Sequence, residues 1–425
     1  MINPFSRTAE SIAPARLGHS FRWLLGSSLV TNTGDGIALA AGPLLVASQT
    51  QDPLLVSLAV LAQTLPVLLF GFMAGVVADR IDRRRLVIVL DLVRAVILAL
   101  LATTIATGSV NIAVVLVALF AMGTAETFAD VNSGSLLPRL VRREDLGVAN
   151  ARLQGGSLLT NQLLAPPIGA FLFVIGMAIP FGAQAIAFAL GAVLVSRIRY
   201  RPEVEIVDVA ETSRGWRADM GEGLRWLWEH RPMRTLFITI VAFNVTFGAA
   251  WGVLVLYATE RLGMTAVGFG LTTTAMAVGG LVGTAAYGPL ERRFSLADIM
   301  RVGLVIETFT HLVLAVTTLP AVALVMLTVF GAHAFVWNTT ATAVRQRAVP
   351  DALLGRVTGA YHVGVFGGIV VGTPIGGWLA REFGITAPFW FGFIGSAILV
   401  VVLWRRFEDI VHAGDIVPTA IPDTT

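Results

Sequence analysis

Twelve stretches of mostly apolar residues run through this chain, each close to the roughly 20 residues a helix needs to cross a bilayer's hydrocarbon core. They lie near 22–47, 54–78, 86–107, 110–136, 146–174 and 178–196, then 235–258, 268–290, 296–319, 321–344, 357–380 and 385–404. Of the 425 residues 56% are hydrophobic and 13% charged, whereas a soluble domain carries about a quarter charged. Lipid must therefore be the solvent for most of the chain. The expected fold is an all-α membrane protein of twelve transmembrane helices in two six-helix bundles, 1–196 and 235–404. A linker at 197–234 joins the bundles, and 405–425 is read as a cytoplasmic tail.

Composition also removes whole classes of chemistry. The chain has no cysteine, which excludes disulfides, iron–sulfur clusters, thiolate zinc sites and cysteine nucleophiles. All thirty basic residues are arginine, so neither a phosphate-loop lysine nor a Schiff-base lysine is present. No nucleophile motif, metal-ligand spacing or nucleotide loop stands out. The expectation is a protein that is not an enzyme, holds no metal or cofactor and binds no nucleic acid.

The two sets of six are related copies. The string GVVADRIDRRR at 75–85 returns 208 residues later as GTAAYGPLERR, pairing Gly75 with Gly283, Arg84 with Arg292 and Arg85 with Arg293. Asp79 meets Tyr287, so one half keeps an acid that the other lacks. At the same offset Gly123 pairs with Gly331, Asp130 with Asn338 and Pro166 with Pro374. Parallel six-helix halves are a transporter architecture, in which one half rocks against the other around a central site.

Arginine placement gives an orientation, because positively charged loops stay in the cytoplasm. With both termini inside, Arg7, Arg16, Arg22, the 80–85 cluster, Arg139, Arg142, Arg143, Arg152, the linker arginines, Arg292, Arg293, Arg301, Arg345, Arg347, Arg356, Arg405 and Arg406 are cytoplasmic. Only Arg261 and Arg381 fall outside, and Arg94 lies within a span. The expected location is the cell membrane, with no cleaved signal peptide. Within the linker, Trp216, Met220, Leu224 and Leu227 recur at helical spacing opposite Arg217, Glu222, Arg225 and Glu229, until Pro232 ends the pattern. This predicts an amphipathic helix, lying either in the membrane interface or against the protein's own loops.

The pattern G-x-x-x-D-R-x-x-R-R, here Gly75, Asp79, Arg80, Arg83 and Arg84, resembles the signature of the major facilitator superfamily, with Asp82 where that family usually has glycine. TNTGDG in the first helix, ETFADVNSGSLLP in the fourth and WNTTATAVRQRAVPDALLGRV entering the eleventh are similar to the drug:proton antiporter branch of macrolide-efflux and siderophore-export type. His362 departs from the arginine that relatives often carry after LLGRV. The resemblance implies a monomeric, proton-driven exporter of amphipathic small molecules, with a cavity between the halves. It also implies that Asp79 meets the start of the eleventh helix near 354–357, and that Asp79, Arg83 and Asp130 form a conformational latch with Gly75, Arg80 and Arg84.

Other residues are candidates on their own chemistry. Asp35 lies about 13 residues into the first helix, roughly 20 Å from its cytoplasmic end, where a carboxylate costs about 2.5–3.5 kcal/mol to insert. It is the first candidate for proton coupling, against a structural role bonded to Asn32 or to backbone. Glu126 shares a helix face with Asp130 four residues on; it could carry protons or contact substrate. Asp91 with Arg94 and Glu307 with His311 are spaced to pair on their own helices, in structural roles. His333 and His362 could be hydrogen-bonded or could titrate near neutral pH. Phe243, Phe247, Trp251, Phe335 and Trp337, with His362, are candidates for the substrate cavity, or else packing and lipid-facing residues. APPIGA at 165–170 and GTPIGG at 372–377 resemble the antiporter-type glycine–proline motif; they could shape a gate or only pack helices closely. Residues alone leave transport direction open, so proton-coupled uptake remains an alternative, as does a non-transporting sensor or scaffold whose mid-membrane acids are inert.

Overall fold

The computed structural model describes residues 14–133, 136–199 and 216–411, and every regular element among them is helical. The first half contains α1 (Gly18–Gln49), α2 (Pro53–Arg80), α3 (Arg83–Ala106), α4 (Ile112–Ser133), α5 (Leu146–Ser157), α6 (Ala165–Ile175) and α7 (Ile179–Ser196). Then come α8 (Trp216–Glu229), α9 (Arg231–Trp251), α10 (Ala266–Arg293), α11 (Leu296–Val316), α12 (Pro320–Ala348), α13 (Asp351–Phe383), α14 (Ala387–Leu403) and the short α15 (Glu408–Val411). Eleven spans among the described residues are long and apolar enough to cross a membrane. The twelfth, α14, has 17 residues, about 25 Å of helix and at the lower limit for a span.

Helix starts follow local chemistry. The Asp82 carboxylate accepts from the Arg85 amide at 3.1 Å and caps α3, so the acid that departs from the family pattern serves as an N-cap. In the second half the Ser295 hydroxyl accepts from the Asp298 amide at 3.1 Å and caps α11. α13 stops at Gly384, whose φ of 92° suits a residue without Cβ.

The chain divides into two compact units, one of Met1–Gln51, Ala62–Ile206 and Met264–Thr274, the other of Asp52–Leu61, Val207–Gly263 and Ala275–Thr425. The expected halves are thus modified at two places, since the start of α2 belongs with the second unit and the start of α10 with the first. Helix pairings repeat between the units. α1 packs on α6 and α7 while α3 packs on α4 and α7; correspondingly α9 packs on α13 and α14 while α11 packs on α12 and α14. Small residues permit these approaches. A Cβ on Gly169 would overlap the Ile37 backbone, and Cβ atoms on Gly372 and Gly376 would overlap the backbones of Val245 and Ala249. The two glycine–proline strings therefore serve close helix packing.

The fifth span is broken where one helix was expected. Between α5 and α6 the backbone widens into a π-helical stretch, Leu158–Leu164. Pro166 and Pro167 have no N–H to offer the carbonyls four residues back. The Leu163 carbonyl, which Pro167 leaves without its helical donor, accepts instead from the Thr274 hydroxyl at 3.0 Å. In lipid a freed carbonyl has to find such a partner.

The linker helix exists as α8, and it packs on α13 and α9. Leu227 is fully buried, Met220 and Trp226 pack against the second unit's core, and Glu222 pairs with Arg356 at 2.8 Å. Leu224, expected on the same stripe, is exposed, as is Trp228. Residues 200–215 of the linker and the Trp216 and Arg217 side chains lie outside the described residues, as do 412–425 of the tail. The tail's beginning is part of the fold: Phe407 and Ile410 are buried in the core of the second unit, and Arg301 binds both the Trp404 carbonyl at 2.9 Å and Glu408 at 3.0 Å.

Candidate functional site

Asp35 sits in α1 between Gly34, packed on Gln184 of α7, and Gly36, packed on Asn161 and Ala165. These flanking contacts turn its carboxylate towards α3. There Arg94 Nη2 lies 3.7 Å from Asp35 Oδ1, and Arg94 Nη1 lies 3.6 Å from Asp91 Oδ1. The guanidinium also stacks 4.1 Å over the Phe188 ring of α7, a contact worth about 0.5–2 kcal/mol. Arg94 and Asp91 are buried, whereas the Asp35 side chain keeps 24% of its surface. The expected Asp91–Arg94 pair is present, and Arg94 extends it to a second acid on another helix. Asn32, the alternative partner for Asp35, is engaged elsewhere: it accepts from Ser157 and donates to the Ser28 carbonyl, both at 2.7 Å.

With every group ionised, this cluster holds two negative charges and one positive. Arginine does not release its proton in a protein. One proton added to a carboxylate makes the cluster neutral, and the accessible acid is Asp35. Glu126 is exposed on α4 and is not drawn into the cluster.

The signature residues divide among different tasks. Arg84 donates from Nε to the Val195 carbonyl at 3.2 Å and from Nη2 to the Ser196 carbonyl, closing the C-terminal end of α7. No described atom lies within 4 Å of a Cβ built on Gly75. The Asp79, Arg80 and Asp130 side chains lie outside the described residues. The first turns of α13, the expected partner of Asp79, carry α8: a Cβ on Gly223 would meet the Arg356 backbone.

In the second unit, Phe243, Phe247 and Trp251 of α9 join Phe330, His333 and Trp337 of α12 in one aromatic cluster, with ring centroids 5.3–6.4 Å apart. Trp337 is buried in the core. Beside this cluster lies a cavity of about 30 Å³, lined by Phe247, Trp251, Thr310, His311, Phe330 and Phe389 among others. That volume admits a water molecule, far below the roughly 300 Å³ at which ligand pockets begin. Phe335 and His362 stand apart: the Phe335 ring sits against Gly280 of α10, and His362 is exposed and stacks with Phe366.

Glu307 and His311 of α11 do pair, with His311 Nδ1 at 3.3 Å from Glu307 Oε1, and His333 Nε2 comes within 3.9 Å of Oε2. Sequence spacing signalled the first contact. The second joins different helices, and only the occurrence of two histidines in neighbouring spans hinted at it.

Comparison with known proteins agrees with this architecture. The chain is 27% identical over 388 residues to the multidrug efflux pump Tap of Mycolicibacterium fortuitum, covering 86% of this chain and 90% of that protein. A bacterial homologue of the iron transporter ferroportin, solved in an inward-facing state, superposes with a TM-score of 0.73 at 18% identity, over 92% of this chain and all but 2% of that one. The nucleoside transporter NupG gives 0.70 at 14% identity, over 92% and 99%. These solved structures establish the fold alone. The profile of the transmembrane secretion effectors matches residues 9–418, and the chain accordingly belongs to that family of major facilitator transporters.

Proposed function

We propose that this transporter is a proton-driven exporter of amphipathic small molecules. It would lie in the cytoplasmic membrane as a monomer with both termini inside, and Asp35 would be its proton-coupling acid. The observation that carries the reading is Arg94 held between Asp35 and Asp91. A buried cluster with one fixed cation and two acids has room for one proton, and that proton changes the cluster's net charge. A buried net charge is costly unless compensated, so proton uptake at Asp35 favours a different packing of α1 and α3 than proton release does. Export, rather than uptake, is supported by the likeness to the multidrug efflux pump Tap. Asp79, Arg83 and Asp130 are assigned the role of a latch that stabilises one access state. A carboxylate on helix-terminal amides is worth about 0.3–2 kcal/mol, and the upper value shifts a two-state population roughly thirty-fold.

The test uses everted vesicles given a lipophilic dye or drug in the outer medium and energised by an imposed pH gradient. Wild-type vesicles should accumulate the compound and dissipate the gradient; Asp35→Asn vesicles should do neither. Undiminished gradient-driven transport by Asp35→Asn would remove Asp35 from the mechanism, and failure of a broad compound panel to move at all would favour the sensor reading.

A further inference from the structure

The triad Glu307, His311 and His333 is the most deeply buried group of titratable side chains among the described residues, with 0%, 3% and 6% of their surfaces exposed. Among the described residues neither carboxylate oxygen of Glu307 has a hydrogen-bond partner, and neither does His333 Nε2. Nor, among those residues, does a fixed charge pair with the group, and the arginines of α12, Arg345 and Arg347, lie twelve and fourteen residues beyond His333. α9 offers the Thr246 backbone to His311 and the Phe243 ring to His333. From α12 come His333 itself and the Phe330 and Trp337 rings, while α14 contributes only the glycine surface at Gly392. The charged residues of α11, Asp298 and Arg301, lie in its first turns and pair with each other at 3.3 Å.

The imidazoles are seated rather than tolerated. A Cβ on Gly392 would overlap the His311 ring, and one on Gly303 would come within 2.8 Å of His333 Nδ1. Both positions keep glycine where a ring must lie flat against a helix. A carboxylate without a cation in this environment is costly. A carboxyl and two imidazoles sharing one proton are neutral, whether the proton rests on oxygen or on nitrogen. Of the three, His311 alone lines the small cavity, whose walls expose only apolar surface, so solvent has to be admitted there before a proton can pass.

We propose that Glu307, His311 and His333 form a second proton-binding site, inside the second half of the transporter, that holds one exchangeable proton. Exchange waits for solvent to enter beside His311, and the proton then rests between Glu307 and the imidazoles. Releasing it leaves a buried anion, so release requires solvent to enter the bundle. The site thereby ties its proton to the packing of α11, α12 and α14. Its place in a transport cycle rests on the proton-driven reading above; proton binding itself does not.

The experiment is read on purified full-length protein in nanodiscs, without substrate. With ¹⁵N-histidine labelling the chain has only six imidazoles to resolve, and infrared difference spectra between acid and alkaline samples report buried carboxyl groups. His311 and His333 resonances should move together with a carboxyl band as pH is stepped, and Glu307→Gln should remove that band and uncouple the two resonances. Glu307→Asp, which shortens but keeps the acid, should retain a shifted band. Resonances and band that stay fixed at every pH at which the protein remains folded would overturn the site, making the triad a static hydrogen-bonded core. If wild-type protein titrates as described while Asp35→Asn vesicles still transport, the triad stands and the Asp35 reading falls. If Asp35→Asn abolishes transport and the triad does not titrate, the reverse holds.

Discussion

Each half of this duplicated chain buries an acid cluster, and the two clusters are compensated in opposite ways. The first half places a permanent cation, Arg94, between two acids on α1 and α3. In the second half the position that matches Asp35 at the 208-residue offset is Phe243, and those matching Asp91 and Arg94 are Ile299 and Val302. Its buried acid cluster lies instead on α11 and α12 and includes no arginine or lysine; the half's buried arginine, Arg345, stands twelve residues beyond His333 on α12 and stacks 3.9 Å over the Tyr361 ring. A guanidinium fixes charge at every working pH, whereas an imidazole can gain or lose it. Repetition of the helix pairings therefore did not preserve the electrostatics. The acid cluster of the first half is built around a constant charge and that of the second around a removable one.

The largest expected effect comes from removing that constant charge. Arg94→Leu leaves two carboxylates facing an apolar bundle, and breaking a buried pair in this way costs about 3–5 kcal/mol. The variant's melting temperature in detergent should fall sharply near neutral pH and recover as pH is lowered, because protonation neutralises the orphaned acids. Glu307→Gln should cost less, since the acid it removes can be neutral by holding a proton and no fixed cation is orphaned. Equal losses for the two variants would break the contrast between the halves. Next in size is a functional split: Asp35→Asn should lose most of the pH-gradient-driven uptake into everted vesicles. Asp91→Asn, whose acid is buried behind Arg94, should keep gradient-driven uptake at a lower rate.

The contrast explains what could be read from the sequence. The spans were legible because each apolar run is long and lipid tolerates few interruptions; every predicted span is helical, though the fifth and the seventh are divided into shorter pieces. Asp35 was legible for the same reason, as an acid in an apolar run. Its partner was not, because Asp35 and Arg94 are 59 residues apart and helix rotation about its axis leaves no mark on spacing. The same blindness hid the contact of His333 with Glu307. Spacing within one helix did transmit: Asp91 with Arg94 and Glu307 with His311 are i,i+3 and i,i+4 pairs. It left two faces equally plausible for the aromatic residues. Four of the five aromatics proposed for a substrate cavity pack into one cluster, and Phe335 lies on another face of α12. Arg84, a member of a family signature, closes a helix end, a role that depends on where α7 happens to stop.

Smaller effects probe whether the duplicated backbone is used alike in both halves. Alanine at Gly169 or Gly376 places a methyl against the backbone of the facing helix, Ile37 or Ala249, and overpacking of this kind costs about 1–3 kcal/mol. Similar melting-temperature losses would mark the two seams as equivalent; a loss at only one would assign rigidity to that half.

The smallest effect concerns the proline strings, where the halves part again. Pro374 sits inside α13, a helix that runs unbroken from Asp351 to Phe383. Pro166 and Pro167 are preceded by a π-helical stretch whose Leu163 carbonyl relies on the Thr274 hydroxyl. Thr274→Val keeps the shape of the side chain and deletes only the donor. Hydrogen bonds between membrane helices average about 0.6 kcal/mol and reach about 1.7, so the melting temperature should drop slightly, with helical content unchanged. Hydrogen exchange should sharpen the result. Amides of 158–164 should exchange faster in Thr274→Val than in wild type, while those of 366–372, ahead of Pro374, should not change. Acceleration in both segments would mean that the broken fifth span and the continuous eleventh respond as one unit, and the difference between the halves would then not extend to their backbones.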